Sequence, residues 1–173
     1  RSAENGVKLI EDDCRLPLIK ALCFRLSNDP RYETELGYSF QKGLIIRGTP
    51  GIGKSYPIQL VADNPVNKIQ IITMAEITSS VIESGEFKKI NFNDHAIVYL
   101  DDVGTEYDGI DKIKHYGSEI NWFKNYIEEY YAKYQKAFHR LMFTTNDSFD
   151  GLQQKYGCRG QDRLAEMFEG SDV

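Results

Sequence analysis

Residues 47–56 read RGTPGIGKSY, and Gly48, Gly53, Lys54 and Ser55 fit the spacing G-x-x-x-x-G-K-[ST]. Glycines let such a loop curl until its backbone N–H groups face phosphate oxygens. The N-terminus of a following helix adds favourable partial charge. Lys54 then brings a full positive charge to the β- and γ-phosphates, and the Ser55 hydroxyl is suited to ligate Mg²⁺. The expected nucleotide contact is the whole run Gly48, Thr49, Pro50, Gly51, Ile52, Gly53, Lys54, Ser55 and Tyr56.

Asp101 and Asp102 follow the apolar run IVYL. Carboxylates at the carboxyl end of a strand in an open parallel sheet lie on the edge where ligands bind. Asp101 is the Mg²⁺ partner in this reading, usually through a coordinated water. Asp102 is placed to orient or deprotonate an attacking water. Glu106 is close in sequence and has the longer reach, so the base is Asp102 or Glu106. Asn146 ends FTTN and offers a neutral amide that can hold that water. Arg159 and Arg163, in GCRGQDRL, come late in the chain. A guanidinium there either reaches a nucleotide on a neighbouring subunit, an effect of about 10³–10⁵ in turnover, or pairs locally with Asp162 or Glu166.

These residues need elements to position them. GLIIRG (43–48) is a short buried strand, and a helix is expected from near Gly53 to about Asp63. Pro57 is tolerated in its first turn, where N–H groups lack internal partners. NKIQIITM (67–74), AIVYLDD (96–102) and RLMFTTN (140–146) are further strands, with helices expected over 75–85 and 118–136. Before the loop, 15–27 is a helix with Leu18, Ile19, Leu22, Cys23 and Leu26 on one face, followed by a polar loop. The tail reads as two short helices broken at Gly157 and Gly160, with a fifth strand near the end. Alternating strands and helices imply an α/β fold with a parallel sheet covered on both faces.

The chain has 173 residues, enough for one domain with a real core, and a net charge of −5. That charge argues against a uniformly basic surface but leaves room for a local patch. No apolar run approaches membrane-spanning length and no signal peptide is visible, so the expectation is a cytoplasmic protein. Cys14, Cys23 and Cys158 have neither disulfide nor zinc spacing, and no metal-ligand spacing links the three histidines. Trp122, Phe123, Tyr126, Tyr130, Tyr131 and Tyr134 recur at helical spacing, which favours a core or interface role over base stacking. Lys88 and Lys89, with Lys112, Lys114 and His115, read equally as a weak phosphate track or as a solvated loop.

GTPGIGKS, YLDDVGTE, the helix ending YAKYQK, FTTN and YGCRGQDRL occur in that order, from about residue 40 onward. Together they resemble an AAA+ ATPase of the DnaC-type helicase-loader and IstB-type transposition-helper group. LDDVGTE is the most specific of them. The resemblance implies a P-loop AAA+ core with a five-stranded parallel sheet of order 5-1-4-3-2. It makes Lys54 and Ser55 part of Walker A, Asp101 and Asp102 Walker B, Asn146 the sensor-1 residue, and Arg163 a trans-acting arginine finger with Arg159 beside it. ATP and Mg²⁺ are the implied ligands. The implied partners are a replicative helicase or transposase, single-stranded DNA through Lys88 and Lys89, and further copies of the chain in a homo-oligomer.

Three departures accompany the resemblance. Asp102 stands where AAA+ proteins commonly carry glutamate, so hydrolysis is expected to be slow. Lys133 stands where the group often has arginine. The chain begins at Arg1 and stops at Val173, where the resemblance would continue to a sensor-2 arginine. The domain expectation is therefore an amino-terminal helix and linker over 1–40 and a motor core over 41–173, lacking its partner-docking part. Two other readings share the phosphate loop: a small-molecule or nucleotide kinase, and an oligomeric adaptor that binds ATP with little turnover. A kinase would need an arginine-bearing lid, and no such segment is evident.

Overall fold

A computed structural model describes residues 16–62, 68–84, 97–104, 112–115, 118–134 and 137–172. Helix α1 (Leu16–Leu26) and the short α2 (Arg31–Thr34) precede β1 (Gly43–Arg47). Then follow α3 (Ser55–Val61), β2 (Ile69–Thr73), α4 (Met74–Ser84) and β3 (Ile97–Val103). A two-stranded antiparallel hairpin, β4 (Lys112–His115) and β5 (Ser118–Asn121), leads into α5 (Trp122–Lys133). One 3₁₀ turn (Phe138–Arg140), β6 (Leu141–Thr145), α6 (Phe149–Met167) and β7 (Phe168–Asp172) complete the described chain.

The main sheet is parallel, with strands in the spatial order β2-β3-β6-β1, and β7 runs along the outer side of β1. Counted within this sheet alone, the first four strands stand in the order 1-4-3-2. Alternation along each strand sorts side chains to two faces. Leu44, Ile46, Ile69, Ile97, Tyr99 and Met142 pack with Leu18, Leu22 and Leu26 of α1 and Ile58 of α3. Ile45, Ile72, Val98, Leu100 and Phe143 face the other way, into a cluster with residues of α4, α5 and α6. Buried on both faces, these strands appear in the sequence as continuous apolar runs.

Several expected elements shift. Residues 118–121 form β5, not the first turn of a helix, and α5 starts at Trp122. Its buried stripe is Phe123, Ile127 and Tyr130, while Tyr134 is exposed. In α1, Ile19 is half-buried and Cys23 exposed, and Ala21 and Phe24 are buried instead. The cause is Tyr32, fully buried in the expected polar loop, which draws Ala21 and Phe24 into a satellite cluster with Leu36, Tyr38 and Phe40 packed against it. The tail has one break, at Gly157 with φ of 80°, while Gly160 is buried within the helix. No described helix is long and apolar enough to cross a membrane.

Candidate functional site

The loop between β1 and α3 turns through Gly51 and Gly53, whose φ values of 84° and 85° lie in the left-handed region that favours glycine. Lys54 precedes the first turn of α3 and is only 5 % exposed. Its Nζ donates to the carbonyl oxygens of Gly48 (2.8 Å) and Thr49 (3.0 Å) and to Asn146 Oδ1 (2.6 Å). All three acceptors are neutral. Burial lowers the Lys54 pKa, an effect opposed by the charges of Asp102 and Asp101.

Asp101 is 9 % exposed, and its Oδ1 accepts three hydroxyl groups. Ser55 Oγ donates at 2.6 Å, Tyr99 Oη at 2.7 Å and Thr144 Oγ1 at 2.8 Å. Strand parity explains the meeting. Tyr99 and Asp101 are two apart on β3, and Thr144 is two before Asn146 at the end of β6, so all four fall on the α3 side. Tyr99 and Thr144 were not singled out by the sequence reading. Their signal was available in this i, i+2 relation to Asp101 and Asn146.

Asp102 takes a different course. The pairing of β3 with β6 shifts between Leu100 and Val103, leaving one extra residue on β3. Asp102 supplies it with φ of 60°, a left-handed conformation that Asp tolerates better than most residues. Its backbone N–H donates to Thr144 Oγ1 at 2.9 Å, so one hydroxyl tethers both aspartates. Asp102 is exposed at the rim. Partial desolvation and then the neighbouring Asp101 charge raise its pKa, with Lys54 acting in the opposite direction.

Gly104 follows with φ of 93°. A Cβ there would lie 2.1 Å from Asp147 Oδ2. Lys155 of α6 donates to that same Asp147 oxygen at 2.7 Å and to the Gly104 carbonyl. The glycine in LDDVG thus allows the end of β3 to be fastened to the start of α6.

The structure brings Lys54, Ser55, Asp101 and Asn146 together, with Asp102 at their rim. It holds the two late arginines in other contacts. Arg163 lies with its guanidinium 3.6 Å from the centre of the Tyr131 ring on α5 and 3.8 Å from Glu166. The Tyr131 hydroxyl in turn donates to Glu166 at 2.8 Å. Arg159 is exposed, 3.9 Å from Glu128. Glu106, Lys88 and Lys89 lie outside the described residues. Lys112, Lys114 and His115 lie on β4.

The donor set suits a nucleotide triphosphate with Mg²⁺. The Lys54 ammonium is hydrogen-bonded only to neutral acceptors, with the two aspartates acting on it through space. Phosphate oxygens would give it the direct charged acceptors it does not have among these three. A hydroxyl and a carboxylate in contact are the hard oxygen ligands that Mg²⁺ takes alongside phosphates and waters.

No protein-family model matches the chain, and no curated protein does. Solved structures do. The structure of AMPPCP-bound DnaA from Aquifex aeolicus aligns with a TM-score of 0.58 at 15% identity, over 95% of this chain and 48% of that one. A DNA replication initiation factor aligns with a TM-score of 0.60 at 13% identity, over 96% of this chain and 48% of the other. The chain spans about half the length of each. At such identities the likeness is one of fold alone: a parallel α/β sheet with helices packed on both faces.

Proposed function

We propose that this chain binds and slowly hydrolyses ATP as an AAA+ protein of the helicase-loader and transposition-helper group. Its targets would be a replicative helicase or transposase and single-stranded DNA. The observation that carries the reading is the meeting of Lys54, Asn146, Ser55 and Asp101 at the carboxyl edge of the sheet. Similarity of fold to a DnaA bound to AMPPCP and to a replication initiation factor supports both the nucleotide and the DNA link.

In this mechanism, Lys54 and the backbone of Gly48–Tyr56 hold the phosphates. Ser55 and Asp101 hold Mg²⁺, which when bound neutralises charge on the phosphates. Asn146 orients the attacking water and Asp102 takes its proton, with Glu106 the alternative base. Arg163, with Arg159 beside it, serves the nucleotide of a neighbouring copy. In the single chain it rests on Tyr131, so it must swing off that ring to do so, which is consistent with slow turnover completed in trans. Lys88 and Lys89 contact single-stranded DNA in this reading.

The test is ATP turnover per chain as protein concentration rises, with and without single-stranded DNA. Turnover is expected to climb with concentration and to change with DNA. Flat, DNA-indifferent turnover would point to a kinase and a separate phosphate acceptor. Tight ATP binding without turnover would point to an adaptor.

A further inference from the structure

At the opposite edge of the sheet lies a cavity of about 540 Å³ lined by Arg25, Asn28, Phe40, Gln41, Ile97, His139 and Arg140. It sits where β3 and β6 begin, while the phosphate loop follows the end of β1. The five residues of β1 separate the two sites by about 15 Å at the usual strand rise.

Arg25 in its wall is only 5 % exposed. One guanidinium nitrogen donates to the Tyr32 hydroxyl (2.8 Å), the other to the carbonyl oxygens of Lys42 and His139 (2.7 Å each). The Tyr32 ring centre lies 5.3 Å away. Every one of these partners is neutral, so among the described residues none of the groups that hold the guanidinium balances its charge. Buried charge without a counter-charge is unfavourable, and proteins normally pair it. Here a second guanidinium, that of Arg140, lines the same cavity, with the His139 imidazole beside it. Burial, then Arg25 and Arg140, hold the His139 pKa below its usual value, which places that imidazole in the field of both arginines. Among the described residues no carboxylate lines the cavity.

The rest of the lining favours more than a bare anion. Phe40 and Ile97 give an aromatic and an aliphatic wall. Asn28 and Gln41 carry amides, which both donate and accept, as the edges of a base require. Paired guanidiniums suit phosphate, and the volume lies within the range of small-ligand sites, about 300–1,000 Å³. We infer that this cavity is a second anion site, separate from the phosphate loop, that takes a nucleoside phosphate, either free or as one unit of a nucleic-acid strand.

The test is calorimetric titration of the whole chain with thymidine 5′-monophosphate, thymidine, inorganic phosphate and a twelve-residue oligothymidylate. The monophosphate or the oligomer is expected to bind, thymidine to fail, and phosphate to bind more weakly. Arg140→Gln, on the half-buried rim, should weaken binding at least about tenfold, the size of one lost charge-assisted hydrogen bond. Its circular-dichroism spectrum should match that of the parent chain, which shows that the fold is kept, and Lys54→Ala should retain the site. Binding by the monophosphate identifies a free nucleotide as sufficient, and binding by the oligomer alone identifies a strand. The inference is overturned if nothing binds, if phosphate binds as tightly as the nucleotide, if Arg140→Gln has no effect, or if Lys54→Ala abolishes binding.

Discussion

Lys54 is a charged group held in place by neutral ones, and this arrangement is poised for a ligand with negative charge. Replacing it with alanine removes two or more charge-assisted contacts to phosphate, each about 1.5–3 kcal/mol. Lys54→Ala is therefore expected to weaken ATP by at least about a hundredfold in a fluorescent-nucleotide titration; unchanged affinity would remove the loop from the site. Tyr99 is the less obvious residue. Its buried hydroxyl lies 2.7 Å from Asp101 and 3.1 Å from Thr144. Tyr99→Phe keeps the ring and deletes only that donor, so stability should fall by about 1–3 kcal/mol in chemical denaturation. Asp101 should also lose orientation, so more Mg²⁺ should be needed to saturate ATP binding. An unaltered Mg²⁺ dependence would show that Ser55 and Thr144 suffice.

The elements show how these residues reach one place. β3 carries its two aspartates past the sheet edge by inserting Asp102 as the bulged residue, and Gly104 lets the chain close against Asp147 and Lys155. Gly104→Ala imposes a side chain on a φ of 93° and displaces Asp147. A destabilisation of about 1–3 kcal/mol follows, measured as a shift in the denaturation midpoint, together with weaker nucleotide binding. Unchanged stability would show that the loop relaxes freely. Much of this was legible beforehand. The strands that lead to Lys54 and Asn146 and the strand that carries Asp101 are buried on both faces, and so they read as apolar runs followed by polar residues. The hairpin was not, because Ile120 and Phe123 also fit a helical stripe, and the pairing of β5 with β4 is not a local property of its residues. That Tyr130 is buried and Tyr134 exposed, though both recur at helical spacing, has a similar origin. Spacing selects a helix face to within a residue or so, whereas packing against Ala137 and Phe138 decides which ring goes inside. Tyr32 was hidden because aromatic residues scattered through a polar stretch do not reveal the cluster they join.

At the scale of the whole molecule, the α5–α6 contact bears on the proposed action of Arg163 at a neighbouring copy's nucleotide. Arg163 is stacked on Tyr131 within its own chain, a contact of about 0.5–2 kcal/mol. Arg163→Ala should lose that stability, spare ATP binding and remove any dependence of turnover on protein concentration. Loss of ATP binding would instead place Arg163 at its own chain's site. Arg163→Lys separates the two roles: it keeps a cation over the ring but lacks the planar fork, so the fold should recover while turnover does not.

Strand order carries a consequence for how the molecule is made. Central β1 precedes β2 and β3 in sequence, yet its sheet neighbours are β6 and β7, which follow both. Lys54 and Asn146 are 92 positions apart, and Ser55 and Asp101 46. Closing such long loops precedes any reward from the contacts they bring, which slows folding and leaves β1 with two open edges until β6 and β7 have been made. A nascent chain lacking β6 would hold the phosphate loop but not the amide that meets its lysine. Nucleotide affinity should accordingly be absent until β6 has been made and then appear in one step, as a signal that the two distant halves of the site have met.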